Sequence, residues 1–267
     1  MARLASDKLG DPTQSVQLWR QVLEIRGEDL EALNAIGNIL TAQKNWRDLV
    51  DILEREAEEA RAQGNEELCI QVYTDLGRIW YSKLGKPEKA IECWEQVLGI
   101  EPVNTEALFQ ITEIHRAANN WHDVAQTLHR IIDVGAAVLP DATLEHCYMQ
   151  LGSIYKNQLE QPMDAADAYR SVLDINPRNS DALAGLELIH RDDNAWDDVV
   201  GVMEKRAAVL DDAETRIGQL LAIAATHAEQ LENADGGTSA FQRILEIAPL
   251  HEYAFQRLET LHGEASR

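Results

Sequence analysis

The sequence predicts an all-α fold, an α-solenoid of antiparallel helical hairpins with a double-hairpin period of 75 residues. Three observations carry that prediction. Glycine and proline are sparse, at 15 and 7 of 267 residues, and the commonest residue types favour helix. Whole phrases return at an offset of 75: LGRIWYSKLGKPEKAIECWEQVLGIEPVNTEAL from residue 76 comes back as LGSIYKNQLEQPMDAADAYRSVLDINPRNSDAL from residue 151. Within each phrase the apolar residues fall at helical spacing, with Pro, Gly and Asn between the helices at fixed places.

The pattern extends both ways. DPTQSVQLWRQVLEI at 11–25 matches KPEKAIECWEQVLGI at 86–100, and ADGGTSAFQRILEIAP at 234–249 matches the same segment three residues short of the period. Trp19, Trp94, Tyr169 and Phe241 fall on one column. The repeat covers almost the whole chain. The expectation is therefore one array over 1–267, in copies of approximately 1–60, 61–135, 136–210 and 211–267, with no separate second domain.

Each period reads as four helices. In the second copy the first runs over 66–82, carries Leu76, Ile79 and Trp80 at helical spacing, and stops at Gly85. Pro87 opens the second, since proline suits a first helical turn, and Ala90, Cys93, Trp94, Val97 and Ile100 share one side of it. Pro102 marks its end, and Pro177 does the same one period later. Asn104 caps the third helix, with Glu106 near its positive end. The fourth opens at NNWHDV, 119–124, which has near-copies KNWRDL at 44–49 and NAWDDV at 194–199. There Asn120 and Asp123 repeat the cap-then-acid arrangement.

These residues resemble the tetratricopeptide repeat. Leu76, Gly77, Trp80, Ala90, Trp94, Val97 and Pro102 fill that family's pattern, with one extra residue in the turn. Leu151, Gly152, Tyr155, Ala165, Tyr169, Val172 and Pro177 fill it again. The alternate hairpins are more degenerate, with Ile111, Thr112 and His115 in place of Leu, Gly and the aromatic. The resemblance covers about nine-tenths of the chain. It implies a right-handed superhelix whose concave groove is lined by the first helix of each hairpin. It also places Trp46, Trp121 and Trp196 on the outer helix, away from the groove, as packing wedges beside the connection that follows. MARLASD aligns with the second half of a first helix and LETLHGEASR with ITEIHRAANN, so both ends read as cuts through a longer array.

A formal net charge of −22 repels phosphate backbones and anionic membranes, which argues against nucleic acid and favours a basic protein or peptide partner. Cys69, Cys93 and Cys147 are odd in number, widely spaced and free of zinc-type spacing. They read as small core residues of a reducing, cytoplasmic compartment. No apolar run approaches the twenty residues of a membrane span.

No pattern carries catalysis, a cofactor or a metal: GxSxG, GxxxxGK[ST], HExxH and paired Cys/His spacings do not occur. His115, His190 and His262 share a packing column, and His122 and His129 fall on a solvated or groove-facing side. The acidic run EREAEEARAQGNEEL at 54–68 reads as an exposed helix face, and no carboxylate pair stands in apolar surroundings that would raise a pKa.

Function is therefore expected in the groove, as a non-enzymatic scaffold for a partner peptide or helix. The alternatives are an assembly module that stacks end to end, or a regulatory segment of a larger protein. The groove candidates are Asn34, Asn38 and Thr41, then Thr74, Arg78 and Tyr81, then Glu106, Phe109, Glu113 and Arg116. Further on come His146, Met149, Ser153 and Lys156, then Asp181, Ala184, Leu188 and Arg191. Phe109, Met149 and Leu188 are the apolar members, suited to an adaptable binding surface. The family's best-known groove clamps acidic tails with Lys, Asn and Arg. Asn34 and Asn38 match it faintly, Asp75 opposes it, the lysines are absent, and that activity is not carried over.

Overall fold

The computed structural model describes residues 12–265, and for 262–265 the backbone alone. The described residues form fourteen helices and divide between Ala137 and Val138 into two compact units. The division falls at the connection between the copies at 61–135 and 136–210. The first unit holds α1 (Pro12–Arg26), α2 (Leu30–Gln43), α3 (Trp46–Ala62), α4 (Glu66–Ser82), α5 (Pro87–Ile100), α6 (Thr105–Ala117) and α7 (Trp121–Gly135). The second holds α8 (Asp141–Asn157), α9 (Pro162–Ile175), α10 (Ser180–Asp192), α11 (Trp196–Val209), α12 (Ala213–Glu229), α13 (Ala234–Ile247) and α14 (Glu252–Ala265). Within each unit every helix packs on the one before it and the one after, as in a stack of antiparallel hairpins.

Local chemistry sets the boundaries. Pro87 and Pro162 stand at the first turns of α5 and α9, where a missing N–H costs nothing. Asn104 caps α6 by accepting from the Ala107 amide at 3.0 Å, and Asn179 caps α10 in the same way. The Trp-bearing turn works differently from the cap-then-acid expectation. Asn120 makes no side-chain cap bond to α7, and Asn45 instead donates its amide to Asp48. What recurs is backbone: Lys44, Asn119 and Asn194 each take a left-handed conformation, and the next residue leads into the helix. The amides of Trp121 and Trp196 donate back to the carbonyls of Asn119 and Asn194.

Two aromatic columns behave oppositely. Trp19, Trp94, Tyr169 and Phe241 are all buried, and Trp94 is 1% exposed. Trp46, Trp121 and Trp196 are half-buried, so the column that announces the repeat is not the one that fills the core. The deep column is held by close approach. A Cβ at Gly77 would lie 2.7 Å from the Trp94 ring. At Gly152 it would lie 2.5 Å from Tyr169, and at Gly185 2.6 Å from the other edge of that same ring. Hydrogen atoms at these positions let α8 and α10 close on Tyr169 from two sides. Gly37 is different, because a Cβ there would meet Leu49 at an ordinary 3.7 Å.

Cys69, Cys93 and Cys147 are free and buried, as small core residues. Burial pushes the Cys93 thiol up to about 12, and Glu54 and Glu92 add to that shift. His115 is half-buried with its ring 3.6 Å from Asp123, and His122 and His129 are exposed. The His262 side chain, MARLASD and the end of LETLHGEASR lie outside the described residues. No described helix is long and apolar enough to cross a membrane.

Gly152→Ala and Gly185→Ala should each destabilise the fold by about 1–3 kcal/mol in chemical denaturation, through overpacking on Tyr169. That penalty should shrink when Tyr169→Leu is present. Gly37→Ala should be neutral or stabilising by up to about 1 kcal/mol, since alanine is the better helix former and has room. Trp94→Ala should cost about 3–5 kcal/mol and Trp46→Ala well under half of that, in proportion to the area each buries.

Candidate functional site

Four of the groove candidates, Asn34, Asn38, Thr41 and Arg78, meet in a cavity of about 380 Å³ in the first unit. Its walls are α2 and α4, and α3 is its floor. Each helix contributes one stripe at three- to four-residue spacing, as a single helical face requires. Asn34, Asn38 and Thr41 come from α2; Trp46, Leu49, Leu53 and Glu56 from α3; Leu68, Val72, Asp75 and Arg78 from α4. Ten residues of α3 separate Trp46 from Glu56, so the cavity is a trench roughly 15 Å long with an aromatic end and an acidic end.

The acidic end corrects the expectation that 54–68 is an exposed face with no apolar-set carboxylate. Glu56 is 4% exposed and lies between Ala57 and the Leu53 face of α3, with Ala60 fully buried one turn further on. Burial holds its carboxyl above the ordinary range of about 4.5; a hydrogen bond from Asn34 pulls the other way, and Asp75 adds a further push upward. Asp75 is also raised, first by burial, against the lowering effect of Arg78 and with Glu106 raising it further.

The polar groups form a relay. The Asn38 amide donates to Asn34 Oδ1 at 2.9 Å, which leaves the Asn34 amide to serve Glu56. The Arg78 guanidinium stands 3.7 Å from Asp75 and bonds Glu106 at the start of α6. Among the described residues, no ion pair reaches Glu56. The comparison with Glu187 on α10 is direct: that acid is 8% exposed and is neutralised by Arg191 at 2.8 Å and Arg206 at 3.1 Å. Two acids are buried alike, but arginines neutralise only one of them.

The remaining candidates lie outside the cavity. Thr74 and Tyr81 share α4 with Arg78 without lining it. On α6, Phe109 and Arg116 are half-buried and Glu113 is exposed, with Arg116 Nε 3.5 Å from Glu113. In the second unit Met149 leans on the core around Tyr169, Lys156 is half-buried, and Ser153 is exposed and bonded to Asn157. Leu188 is 52% exposed, whereas Phe109 and Met149 are half-buried. Arg191 is committed to Glu187.

Trp46 packs against the core of its unit, as expected, and only its placement away from the groove is corrected. It lines the trench with Asn38 and Arg78 rather than standing away from it, and the Lys83 ammonium sits 5.6 Å from its ring centre. Sequence reasoning missed Glu56 for want of register. Leu49, Val50, Ile52, Ala57 and Ala60 mark the buried stripe of α3, and Glu56 stands on it.

The linkage sign follows from the upward shift of Glu56. A raised carboxyl contributes stability that is complete below its unfolded value of about 4.5 and is lost as pH rises through its folded value. Above that folded value the ionised Glu56 is therefore a cost. Glu56→Gln keeps the shape and can still accept from Asn34. Its melting temperature should match or exceed wild type at pH 7.5, with the difference closing towards pH 4 in scanning calorimetry.

Two family models, each described as tetratricopeptide repeat, match residues 32–67 and 70–104, the stretch that builds this trench. No curated protein matches the chain. Among solved structures, the Naa15/Naa10 assembly bound to HypK-THB superposes with a TM-score of 0.52 at 15% identity, over 98% of this chain and 37% of that one. The C-terminal part of a TPR repeat-containing protein from Cytophaga hutchinsonii gives 0.45 at 14% identity, over 96% and 98% of the two chains. YrrB, titled a TPR protein with an unusual peptide-binding site, gives 0.42 at 14% identity, over 75% and 96%. By its recurring hairpins, its Gly-on-aromatic packing and these two matched repeats, the chain is a tetratricopeptide-like α-solenoid.

Proposed function

We propose that the chain is a non-enzymatic interaction scaffold that holds a peptide or helix of another protein against the exposed faces of α2 and α4. Tetratricopeptide repeats at 32–67 and 70–104 support the broader role of a protein–protein interaction module. The trench itself supports the finer one. It gathers the polar side chains of Asn38 and Arg78, an aromatic wall at Trp46 and an apolar floor of Leu49 and Leu53 in one groove. Apolar contacts supply affinity in such a groove, and the few placed polar groups set register. The formal charge of −22 favours a basic partner and speeds its approach.

A second reading, self-association, draws on a cluster of exposed apolar side chains in the last hairpin. Leu250 is 94% exposed, and Tyr253 and Phe255 are each more than half exposed. Sedimentation velocity over a wide concentration range decides it, because a strictly monomeric chain removes that reading.

Affinity capture with the whole chain, followed by Asn38→Ala and Arg78→Ala, tests the groove. Each substitution should weaken partner retention by about tenfold with unchanged far-ultraviolet circular dichroism. Arg130→Ala on α7, whose side chain pairs with Glu95 on α5, should leave retention unchanged. The opposite pattern would place the partner on the outer helices.

A further inference from the structure

We infer that the acidic end of the α2–α3–α4 trench is a pocket for one cationic side chain, the guanidinium of an arginine or the ammonium of a lysine, presented by the bound partner. This rests on the groove reading above and adds what that groove selects.

The argument starts from a buried acid without a counter-ion. A carboxylate removed from water is kept in a stable fold by pairing, by hydrogen bonds or by protonation. Glu187 is paired twice over. Glu56 is more deeply buried and, among the described residues, receives a single amide from Asn34. It also lines a cavity of about 380 Å³, large enough for a side chain to enter. The charges facing that end are Glu56 from α3 and Asp75 and Arg78 from α4, with Glu106 of α6 behind Arg78 and only neutral Asn34 and Asn38 from α2. Two carboxyls thus meet one guanidinium, and Glu106 draws that guanidinium outward. Lys83 offers no remedy, because its ammonium is placed over Trp46 at the far end.

A guest cation completes this set. It would accept the Glu56 carboxylate as its main partner and share Asp75 with Arg78, while Arg78 keeps Glu106. Burial raises both carboxyls when the pocket holds no cation, and a positive guest reverses that by favouring their charged forms. The trench continues about 15 Å to Trp46, which leaves room for the partner's neighbouring apolar residue over Leu49, Leu53 and Ile79.

The test titrates the full chain at pH 7.5 with n-butylguanidinium, n-butylammonium and, as a neutral control, 1-pentanol. Amide and indole resonances are followed by NMR. Saturable shifts are expected at the Asn34 and Asn38 side-chain amides with at least one cation, at dissociation constants on the order of 1–10 mM for so few atoms. Whichever cation binds more tightly names the residue. Glu56→Gln should weaken that binding by about tenfold and Asp75→Asn by less. Equal binding of 1-pentanol, shifts confined to other residues, or cation binding unchanged in Glu56→Gln would each overturn the inference. If the cations are silent while partner capture still depends on Asn38 and Arg78, the groove reading stands and the cation pocket falls.

Discussion

The fold rests on how closely an aromatic ring of one helix can approach the backbone of the helix before it. Trp94 lies on Gly77, and Tyr169 lies between Gly152 and Gly185, at distances where no other side chain would fit. This contact sets how closely α4 and α5 approach, and how closely α8 and α10 approach α9. The next hairpin of the same unit then stacks on a surface already fixed, because within each unit every element touches mainly its neighbours in sequence. The same residue types are needed at the same places each time, and that need writes a repeat into the sequence.

Where the requirement is relaxed, other chemistry enters. The alternate hairpins carry Thr112 and Glu187 at the small-residue position. Thr112 satisfies itself on the Leu108 carbonyl, and Glu187 depends on Arg191 and Arg206. Glu56 is a different case, since its burial is matched by an amide and an open cavity rather than by arginines. A fold that tolerates such a cost at one place concentrates electrostatic potential there. A carboxylate with little competing solvation interacts more strongly with an incoming cation than any of the exposed acids that make up most of the −22.

Much of the fold was legible in the sequence. Pro87 and Pro162 start helices, Asn104 and Asn179 cap them, and the buried column of Trp94 and Tyr169 follows from the helical spacing around it. Parts of the site were legible too, since Asn34, Asn38 and Arg78 were placed on exposed first-helix faces and do line one cavity. Glu56 was hidden by its company. In EREAEEARAQGNEEL it is one acid among six, and composition averages over the one position where the helix turns inward. Trp46 was legible as a packing residue but not as a wall of the trench. A tryptophan at a fixed period looks structural, yet a half-buried ring at the start of α3 can pack and line a trench at once.

By itself, then, the sequence determined the helices, their order and the residues on which each hairpin closes. These depend on spacing along one chain, on which backbone positions can accept proline or a left-handed turn, and on where no side chain can be tolerated. Only the tertiary structure decided which polar groups face one another across α2, α3 and α4. Glu56 and Asp75 are 19 positions apart and on different helices, and their mutual influence exists because two hairpins stack with those faces together. Local spacing cannot encode that meeting. Packing between elements creates it, and with it the cavity and the set of charged groups that faces it.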